Sequence, residues 1–419
     1  PGTSGGRPAT RAGDMPGLPL EGIRVLDFTW VISGPQCTQI LADFGAEVIK
    51  IEWPHHPDGM RNRGQPPGTD PGSWEEGGLW NNLNRNKRSI TLNMRHPKAV
   101  GVAMDLVACC SVVVANMGPH VLESWGLSWE AMQAVSPGLI YLGMTGFGVG
   151  GPNEDYLVFG PVMQAVSGLH GMTGRPGAEP AGLGYSYADY ATGYFGALAV
   201  LAALADREVT GSGSMIDLSQ VEASVALTSA AVLDYQVSGR PFSAWGNVPF
   251  GADDAPAGLY RCQGADSWCA ISVRTDDQWA ALTRILDRDD LGQDARFREH
   301  RGRAGHRPAL DQAVSAWTES RQRDVVVSEL AGAGVPCSPL LTAGELLADQ
   351  ALRARGYYQE ATHPLLGARE FQMGAIQSAA GPVLRRAAPM FGEANDDIYG
   401  GLLGMSPDQI RELAAEAVI

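Results

Sequence analysis

The sequence predicts an α/β protein with a large Rossmann-like domain, built on a parallel sheet, and a smaller α+β domain. Three observations support this class. A strand, a turn, a helix and a second strand follow each other within residues 23–52, which is the pattern of a βαβ unit. Strand-like and helical segments then alternate to about residue 235, with glycine-rich turns at strand ends. After residue 256 the order changes to two paired strands followed by helices.

The first βαβ unit indicates where a ligand binds. Ile23–Phe28 has strand character, Gln36–Phe44 has helical spacing, and Ala46–Glu52 is the second strand. The turn Thr29–Pro35 therefore follows the carboxyl end of the first strand, where ligands bind in open α/β sheets. The turn carries no G-x-G-x-x-G pattern, so the sequence gives little support to a nicotinamide or flavin cofactor.

Later segments continue the sheet. The predicted strands are Ile90–Leu92, Ser111–Ala115, Leu139–Thr145 and Met215–Leu218. The predicted helices cover residues 97–108, 122–135, 161–172, 194–204 and 220–235. Residues 53–80 form a long loop, which in a compact domain is usually functional or mobile. The basic residues Arg85, Lys87 and Arg88 that follow it fit either a solvated strand edge or a phosphate-binding cluster.

The chain is expected to divide into two domains. Residues 1–17 consist largely of glycine, proline, arginine and small residues and are predicted to be a disordered leader. The large α/β domain comprises residues 18–236 and 340–419. Repeated proline and glycine breakers mark residues 237–256 as a linker, and residues 257–339 form the small α+β domain.

Composition and charge disfavour several classes of protein. The 419 residues carry a formal net charge of −15, which argues against broad nucleic-acid binding because such binding requires a basic face. Six cysteines without a C-x-x-C pair indicate a reducing compartment, and neither a disulfide framework nor a zinc site. The His55-His56 pair lacks spaced partners, so no metal site is predicted. We therefore expect a cytoplasmic protein.

The most distinctive stretch is Gly184–Leu204. From Tyr194 onward it is nearly all apolar, but a run of about a dozen residues is shorter than the ~20 needed to cross a bilayer. The run predicts a helix buried on every side and no membrane partner. Asp189, at its start, is the only charged residue between Glu179 and Asp206. The local pattern favours helix capping by this carboxylate, with a nucleophile at an anion-stabilising helix start as the alternative.

Several short motifs, taken in order, resemble one known family. They are Gly22–Phe28, Gly34-Pro35, Gly45–Glu52, Asn86–Ser89, Gly146-Phe147-Gly148, Ala188–Gly193, Thr210–Gly213 and His363–Gly367. Together they resemble the class III CoA-transferases, the family of carnitine CoA-transferase and formyl-CoA transferase, over about residues 20–419. The resemblance implies a CoA-transferase whose large domain binds CoA. It also implies that acyl-CoA and a small carboxylic acid are substrates, that no cofactor is permanently bound, and that two subunits interlock in a homodimer.

The resemblance also implies roles for individual residues. Asp189 matches the family's nucleophile, which attacks an acyl-CoA thioester, forms a mixed anhydride and then becomes an aspartyl-CoA thioester. The positions that match CoA contacts are Trp30, Val31, Ile32, Ser33, Trp53, Lys87, Arg88, Asn116 and Met117. Lys87 and Arg88 are expected to pair with CoA phosphates. Formyl-CoA transferase has Arg in place of Trp53 and Gln in place of Ile32, so we expect a more apolar acid than oxalate or formate.

Two other functions are left open by the sequence. The related α-methylacyl-CoA racemases need a second acid–base group across the substrate from the aspartate. Their histidine falls on Phe159 here, which cannot carry a proton, so racemisation is the weaker alternative. A CoA-binding regulatory or structural subunit without activity is the other alternative, and the presence of Asp189 disfavours it.

Overall fold

A computed structural model describes residues 17–61, 71–248, 254–378 and 380–419. Apart from Gly17, the predicted leader lies outside the described residues, as do residues 249–253 of the predicted linker. The chain divides into two compact units. The first runs to Leu169 and also contains Leu183–Ser238 and Leu352–Ile419, and the second contains His170–Gly182 and Gly239–Ala351. Residues 340–351, which the sequence assigned to the large domain, thus group with the second unit.

A six-stranded parallel sheet forms the centre of the first unit. Its strands are β1 (Arg24–Asp27), β2 (Glu47–Glu52), β3 (Lys87–Thr91), β4 (Val112–Ala115), β5 (Ile140–Gly143) and β6 (Ser214–Asp217). They lie in the order β3-β2-β1-β4-β5-β6, and each neighbouring pair is parallel. This is the Rossmann order, in which the winding reverses between β1 and β4 and leaves a crevice at the carboxyl ends. The predicted α/β class with a Rossmann-like parallel sheet is confirmed.

The two faces of the sheet carry separate hydrophobic cores. In β1, Val25 packs in one core and Leu26 in the other, and Val48 and Ile49 of β2 divide in the same way. Successive side chains of a strand point to opposite faces, so consecutive apolar residues of these two strands are buried on both faces. A sheet buried on both faces explains why these strands lack the polar alternation of a half-exposed sheet.

Among the described residues, ten α-helices lie between β1 and Ser238. They are α1 (Ser33–Asp43), α2 (Gly78–Asn84), α3 (Ala99–Ala108), α4 (Val121–Ser124), α5 (Trp129–Val135), α6 (Gly160–Val166), α7 (Leu169–Met172), α8 (Tyr187–Thr210), α9 (Gln220–Ala226) and α10 (Ser229–Ser238). The single helices predicted over 122–135 and 161–172 are each two helices. The breaks contain Gly126 and Gly168, whose φ angles are 85° and 84°, a conformation that ends an α-helix.

Helix α8 differs from its prediction. It runs for 24 residues and is, within the described part of the chain, the one helix that could cross a membrane by length and composition alone. One face packs on α1, where a Cβ on Gly193 would lie 2.6 Å from Gln36 Cγ. The other face is exposed, Leu198 by 64%. Burial on every side was wrong because the small residues gather on the packed face and larger apolar residues such as Tyr194 face outward.

The second unit is α+β, as predicted. Its antiparallel sheet has the order β7-β8-β9, with strands β7 (Ala257–Arg261), β8 (Trp268–Ser272) and β9 (Cys337–Pro339). Its helices are α11 (Asp276–Ile285), α12 (Asp289–Gln293), α13 (His300–Gly305), α14 (Arg307–Thr318), α15 (Arg323–Gly332) and α16 (Ala343–Ala348). Helix α17 (Gln350–Ala354) follows in sequence across the division. Tyr260, Ile271, Leu282 and Leu330 belong to one buried core.

The end of the chain returns to the large sheet. It contains the antiparallel hairpin of β10 (Tyr358–His363) and β11 (Gly367–Gln372), a π-helical turn Asp396–Leu402, and α18 (Pro407–Ala415). Tyr399 donates its hydroxyl hydrogen to the carbonyl of Thr91, and Asn395 accepts the N–H of Thr91 at 2.9 Å. The tail therefore covers β3, the edge strand on this side, and shields its unpaired backbone groups.

Candidate active site

A cavity of about 540 Å³ lies at the carboxyl ends of the strands in the first unit. Its walls include the segments that directly follow β1, β2, β3, β4 and β5, which is the crevice expected for this strand order. Its volume is that of an ordinary ligand site. The apolar and aromatic lining residues include Phe28, Trp30, Ile51, Trp53, Leu92, Trp125, Tyr156, Leu157, Val158 and Phe159.

Asp189 lies in the wall of this cavity, in the first turn of α8. It is 6% exposed. Ser186, and not Asp189, occupies the N-cap position, so the predicted capping role does not describe the carboxylate. Gly160, the first residue of α6, packs directly against it: a Cβ on Gly160 would lie 2.3 Å from Asp189 Oδ2. The carboxylate therefore occupies space that only a glycine leaves open, near helix N–H groups that favour a negative charge.

Asn116 fixes the loop that follows β1. Its Oδ1 accepts the N–H of Trp30 at 2.7 Å, and its Nδ2 donates to the Trp30 carbonyl at 2.8 Å and to Ser33 Oγ at 3.3 Å. Gly34 allows this close approach, because a Cβ there would lie 2.9 Å from Asn116 Cγ and 2.3 Å from Thr29 Cβ. The loops after the neighbouring strands β1 and β4 are thus joined beside the cavity.

Val31, in the same loop, has a φ of 69°, a left-handed conformation that β-branched residues rarely adopt. Its N–H donates to both carboxylate oxygens of Asp58 at 3.2 Å. Lys50 Nζ lies 3.5 Å from Asp58 Oδ2 and donates to the carbonyl of Thr29 at 2.6 Å. Burial raises the pKa of Asp58, and the charge of Lys50 offsets this only in part.

Lys87 is not among the described residues that line the cavity. It is fully buried, and its Nζ donates to Asp27 Oδ2 at 3.1 Å and to the Pro35 carbonyl and Asn84 Oδ1 at 3.0 Å. Burial lowers the pKa of Lys87 to about 8, so it is mostly charged at neutral pH. Burial disfavours the Asp27 carboxylate, but its charged and hydrogen-bonded partners outweigh this and hold the pKa of Asp27 below its ordinary value. The pair supports the loop from inside.

Arg88 also has protein partners. Its guanidinium pairs with Glu47 at 2.8 Å and with Asp397 at 2.7 Å, and it is not among the described lining residues either. Phosphate binding by Lys87 and Arg88 stays a prediction. Lys87 would have to leave three hydrogen-bond partners in the interior to carry it out.

The structure brings most of the other predicted residues together. Those that line the cavity are Asp189, Trp30, Val31, Ser33, Trp53, Asn116 and Met117. Ile32 instead packs with Met60 and Trp80 in a small core below the loop. The side chain of Ile32 supports the loop, while the neighbouring residues Val31 and Ser33 contribute to the cavity wall.

Sequence analysis missed two basic residues of the cavity, Arg95 and His56. Arg95 follows β3, and its N–H donates to Asn93 Oδ1 at 3.2 Å. The ring of His56 lies 4.5 Å from that of Trp30, between centroids. The signal for Arg95 was available, because it follows a predicted strand at its carboxyl end, the rule that selected the loop after β1.

Comparisons with known proteins agree with this architecture. The family described as CoA-transferase family III matches residues 20–395. A succinyl-CoA–D-citramalate CoA-transferase of Chloroflexus aurantiacus is 34% identical over 405 residues, which are 96% of this chain and 99% of that protein. A formyl-CoA:oxalate CoA-transferase of Rhodopseudomonas palustris is 32% identical over 94% of this chain and 96% of its own. The crystal structure of a CAIB/BAIF family protein from Brucella suis has a TM-score of 0.84 and 30% identity, and covers 92% of this chain and 100% of its own.

Proposed function

The chain belongs to CoA-transferase family III, and we propose that it moves CoA from an acyl-CoA thioester to a free carboxylic acid with Asp189 as nucleophile. The observation that carries this proposal is the place of Asp189. Its carboxylate is almost fully buried in the wall of a largely apolar cavity. This cavity lies at the carboxyl ends of the parallel strands, where open α/β sheets bind ligands.

The proposed reaction has four exchanges at one carboxylate. An oxygen of Asp189 attacks the thioester carbonyl of the donor, which forms a mixed anhydride and releases CoA thiolate. The thiolate attacks the Asp189 carbonyl, which gives an aspartyl-CoA thioester and frees the first acid. The acceptor carboxylate then attacks this thioester, and the released thiolate attacks the acyl carbonyl of the new anhydride. Asp189 is regenerated, and CoA serves as a substrate throughout.

The surroundings of Asp189 suit this role. Gly160 leaves room for the carboxylate itself, because a Cβ at this position would lie 2.3 Å from Oδ2. Asp189 lies in the first turn of a 24-residue helix, where the helix N-terminus favours negative charge. Positioning of this kind contributes strongly to rate, because a misplacement of about 1 Å can cost 10²-fold.

CoA is proposed to lie along the loops after β1, β3 and β4. Trp30, Val31, Ser33, Asn116 and Met117 form this wall, and the ring of Trp53 is available for stacking on adenine. We assign the phosphates to Arg95, because a guanidinium is permanently charged and matches phosphate geometry.

The acceptor is proposed to be an acid with an apolar body. Phe159 and Val158 line the cavity with Asp189, and Phe159 is the N-cap residue of α6, directly before Gly160. An apolar wall discriminates weakly between acids that differ by one methylene. We therefore expect several related acids to be accepted at comparable rates.

The experiment that tests the function is an exchange assay. The purified protein is incubated with a panel of acyl-CoA donors and free acids, and new acyl-CoA species are identified by mass spectrometry. Asp189→Asn is the matched control, because it keeps the size of the side chain and removes the nucleophile. Formation of a new acyl-CoA that depends on both the acceptor and Asp189 supports the proposal, whereas equal turnover by the variant contradicts it.

Racemisation is tested in a second assay. One enantiomer of a 2-methylacyl-CoA is incubated in deuterated water without an acceptor acid. Phe159, which stands where the racemases carry a histidine, lines the cavity and cannot exchange a proton at C2. We expect C2 to keep its hydrogen and its configuration. Deuterium at C2 with loss of optical purity would instead establish an isomerase.

We also propose that the protein forms a homodimer. Helices α8 and α10 expose large apolar side chains, among them Tyr194, Leu198, Leu233 and Tyr235. Apolar residues concentrated on exposed helix faces mark association surfaces, and a second copy of the chain is the commonest partner. Sedimentation equilibrium should show a dimer at micromolar concentration, and Leu198→Glu should lower the yield of dimer after unfolding and refolding. A wild-type monomer would contradict the proposal.

Threading of the two subunits through each other, like linked rings, is part of the same proposal. Interlocked subunits cannot separate without unfolding. Mixing tagged and untagged wild-type protein should therefore give no mixed dimers under native conditions, while mixing followed by unfolding and refolding should give them. Mixed dimers that form within hours under native conditions would show an ordinary, unthreaded dimer.

A further inference from the structure

We propose that Asp58 is a positioning residue for CoA: its carboxylate holds Val31 in a left-handed backbone conformation that the valine side chain opposes. The inference rests on the proposed function, because it takes the loop after β1 to be a wall of the acyl-CoA site. Asp58 reaches this loop from the segment after β2, which the sequence presented only as part of a long turn-rich region.

Three consecutive residues of the loop are held by side chains from three other segments. Lys50, on β2, donates to the carbonyl of Thr29 at 2.6 Å. Asn116, after β4, bonds both the N–H and the carbonyl of Trp30. Asp58 accepts the N–H of Val31. The path of the backbone through this loop is therefore set by its surroundings and not by its own sequence.

Val31 is the point at which that path is strained. Its φ of 69° brings Cβ close to its own carbonyl, and for a residue with a Cβ this reduces the population of the conformation by about tenfold. Strain of this kind persists only where the surroundings determine the conformation, and such residues cluster at functional sites. Val31 lines the cavity, so the strained residue lies where a ligand would contact it.

The contact requires a carboxylate. Both oxygens of Asp58 lie 3.2 Å from the Val31 nitrogen, and Oδ1 also accepts the N–H of Met60 at 3.0 Å. In Asp58→Asn one of the two positions becomes an NH₂ group, which faces the N–H of Val31 as donor against donor. The variant therefore weakens the hold on Val31 with almost no change of volume.

The experiment is a double-mutant cycle on the full chain. The dissociation constant of CoA is measured by calorimetry for the wild type, Asp58→Asn, Val31→Gly and the double variant. Glycine adopts positive φ without a steric cost, so in the Val31→Gly background the loop no longer needs the carboxylate. We expect Asp58→Asn to weaken CoA about tenfold beside valine and less than about threefold in the Val31→Gly background.

Equal losses in the two backgrounds, or no loss in either, would overturn the inference, because Asp58 would then act independently of the Val31 conformation. A wild-type chain that binds no CoA would contradict the proposed function instead, so the two failures are distinguishable. Asp58→Asn leaves Lys50 without its charged partner. If circular dichroism shows that this variant does not fold, the cycle is run on Lys50→Met/Asp58→Asn, which removes both buried charges, and the same ratio decides.

Discussion

Two sets of polar groups in the first unit differ in whether their side chains face the cavity or the protein interior. The cavity groups, Arg95, Asn116 and Asp189, lie after strand ends or at a helix start and line the cavity. The interior groups, Lys87, Arg61 and His363, are fully enclosed. Family resemblance pointed to Asn116 and Asp189 of the first set and to Lys87 of the second as functional, and the two sets differ in whether the side chain lines the cavity.

Arg61 illustrates the interior set. Its guanidinium bonds both oxygens of Glu52 at 2.7–2.8 Å and stacks 3.6 Å from the ring of Trp80. All of its polar capacity is directed to the protein, as is that of Lys87. We therefore expect that removing an interior group lowers the free energy of unfolding, whereas removing a cavity group changes CoA binding or the rate of CoA transfer.

The largest effect is expected for Asp189→Asn. Loss of the nucleophile should reduce CoA transfer by about 10³-fold or more, because the other lining carboxylates are engaged: Glu52 pairs with Arg61 and Glu154 accepts the N–H of Gly150. CoA binding should persist, since the amide keeps the volume of the carboxylate. Transfer is measured by mass spectrometry of acyl-CoA products, and hydroxylamine should trap the activated acyl group on Asp189 in the wild type. Full transfer by the variant would show that Asp189 is not the nucleophile.

Lys87→Met should lower the free energy of unfolding by about 3–5 kcal/mol, because it leaves the buried Asp27 carboxylate without its charged partner. Urea denaturation measures the change. The control is Asp27→Asn/Lys87→Met, in which both charges are gone and much of the stability should return. A Lys87→Met protein that is as stable as the wild type but binds CoA weakly would break the comparison and would restore the predicted phosphate role.

Gly160→Ala should reduce kcat about 100-fold. A Cβ at this position would lie 2.3 Å from Asp189 Oδ2, so the carboxylate must move away from the reacting carbonyl. Gly101→Ala in α3 is the matched control, because a Cβ there meets nothing within 4 Å and alanine favours a helix. Kinetics with saturating acyl-CoA separate kcat from KM. Equal kcat for the two variants would show that the contact with Gly160 does not position Asp189.

The fold class and the cavity could be predicted because they depend on local pattern. Consecutive apolar residues identify the central parallel strands, and the carboxyl end of β1 identifies the turn Thr29–Pro35 as ligand-facing. Asp189 required the family resemblance, since its local pattern favoured capping.

The details that the sequence did not reveal depend on long-range partners. Lys87 lies at the first position of β3, level with Val25 in the register. Its ammonium group bonds the carboxylate of Asp27, which is sixty positions away in the sequence. The exposed face of α8 escaped prediction because an apolar composition does not reveal which face is packed. Arg95 was missed although it lies after a strand end, the position that identified the loop after β1.

Arg95→Ala should weaken CoA about 10–100-fold, since a charge-assisted contact is worth roughly 1.5–3 kcal/mol. A pantetheine thioester without the nucleotide should lose less than about threefold, because it has no phosphate for Arg95 to bind. Unfolding should not change. Arg88→Ala is the comparison variant, because Arg88 is paired with Glu47 and Asp397. A larger loss of CoA affinity for Arg88→Ala than for Arg95→Ala would reverse the assignment of the phosphate partner.

The smallest effect is expected at His363, and it depends on pH. Its Nδ1 accepts the N–H groups of Leu365 and Leu366 at 3.2 and 3.3 Å, so the folded protein holds a neutral ring. Burial lowers the pKa of His363, and the charges of Glu75 and Glu393 offset this only in part.

The folded pKa of His363 is therefore lower than the unfolded value of about 6.5. As the pH falls below about 6.5, the unfolded chain gains a proton that the folded protein does not take up, so stability present at pH 7 is lost. His363→Asn keeps an acceptor for the two N–H groups and cannot titrate. The free energy of unfolding of the wild type relative to this variant should fall by about 1 kcal/mol between pH 7 and pH 5, with transfer activity at pH 7 unchanged. A constant difference across this range would show that His363 takes up its proton equally in both states, and a loss of transfer would place it among the cavity groups.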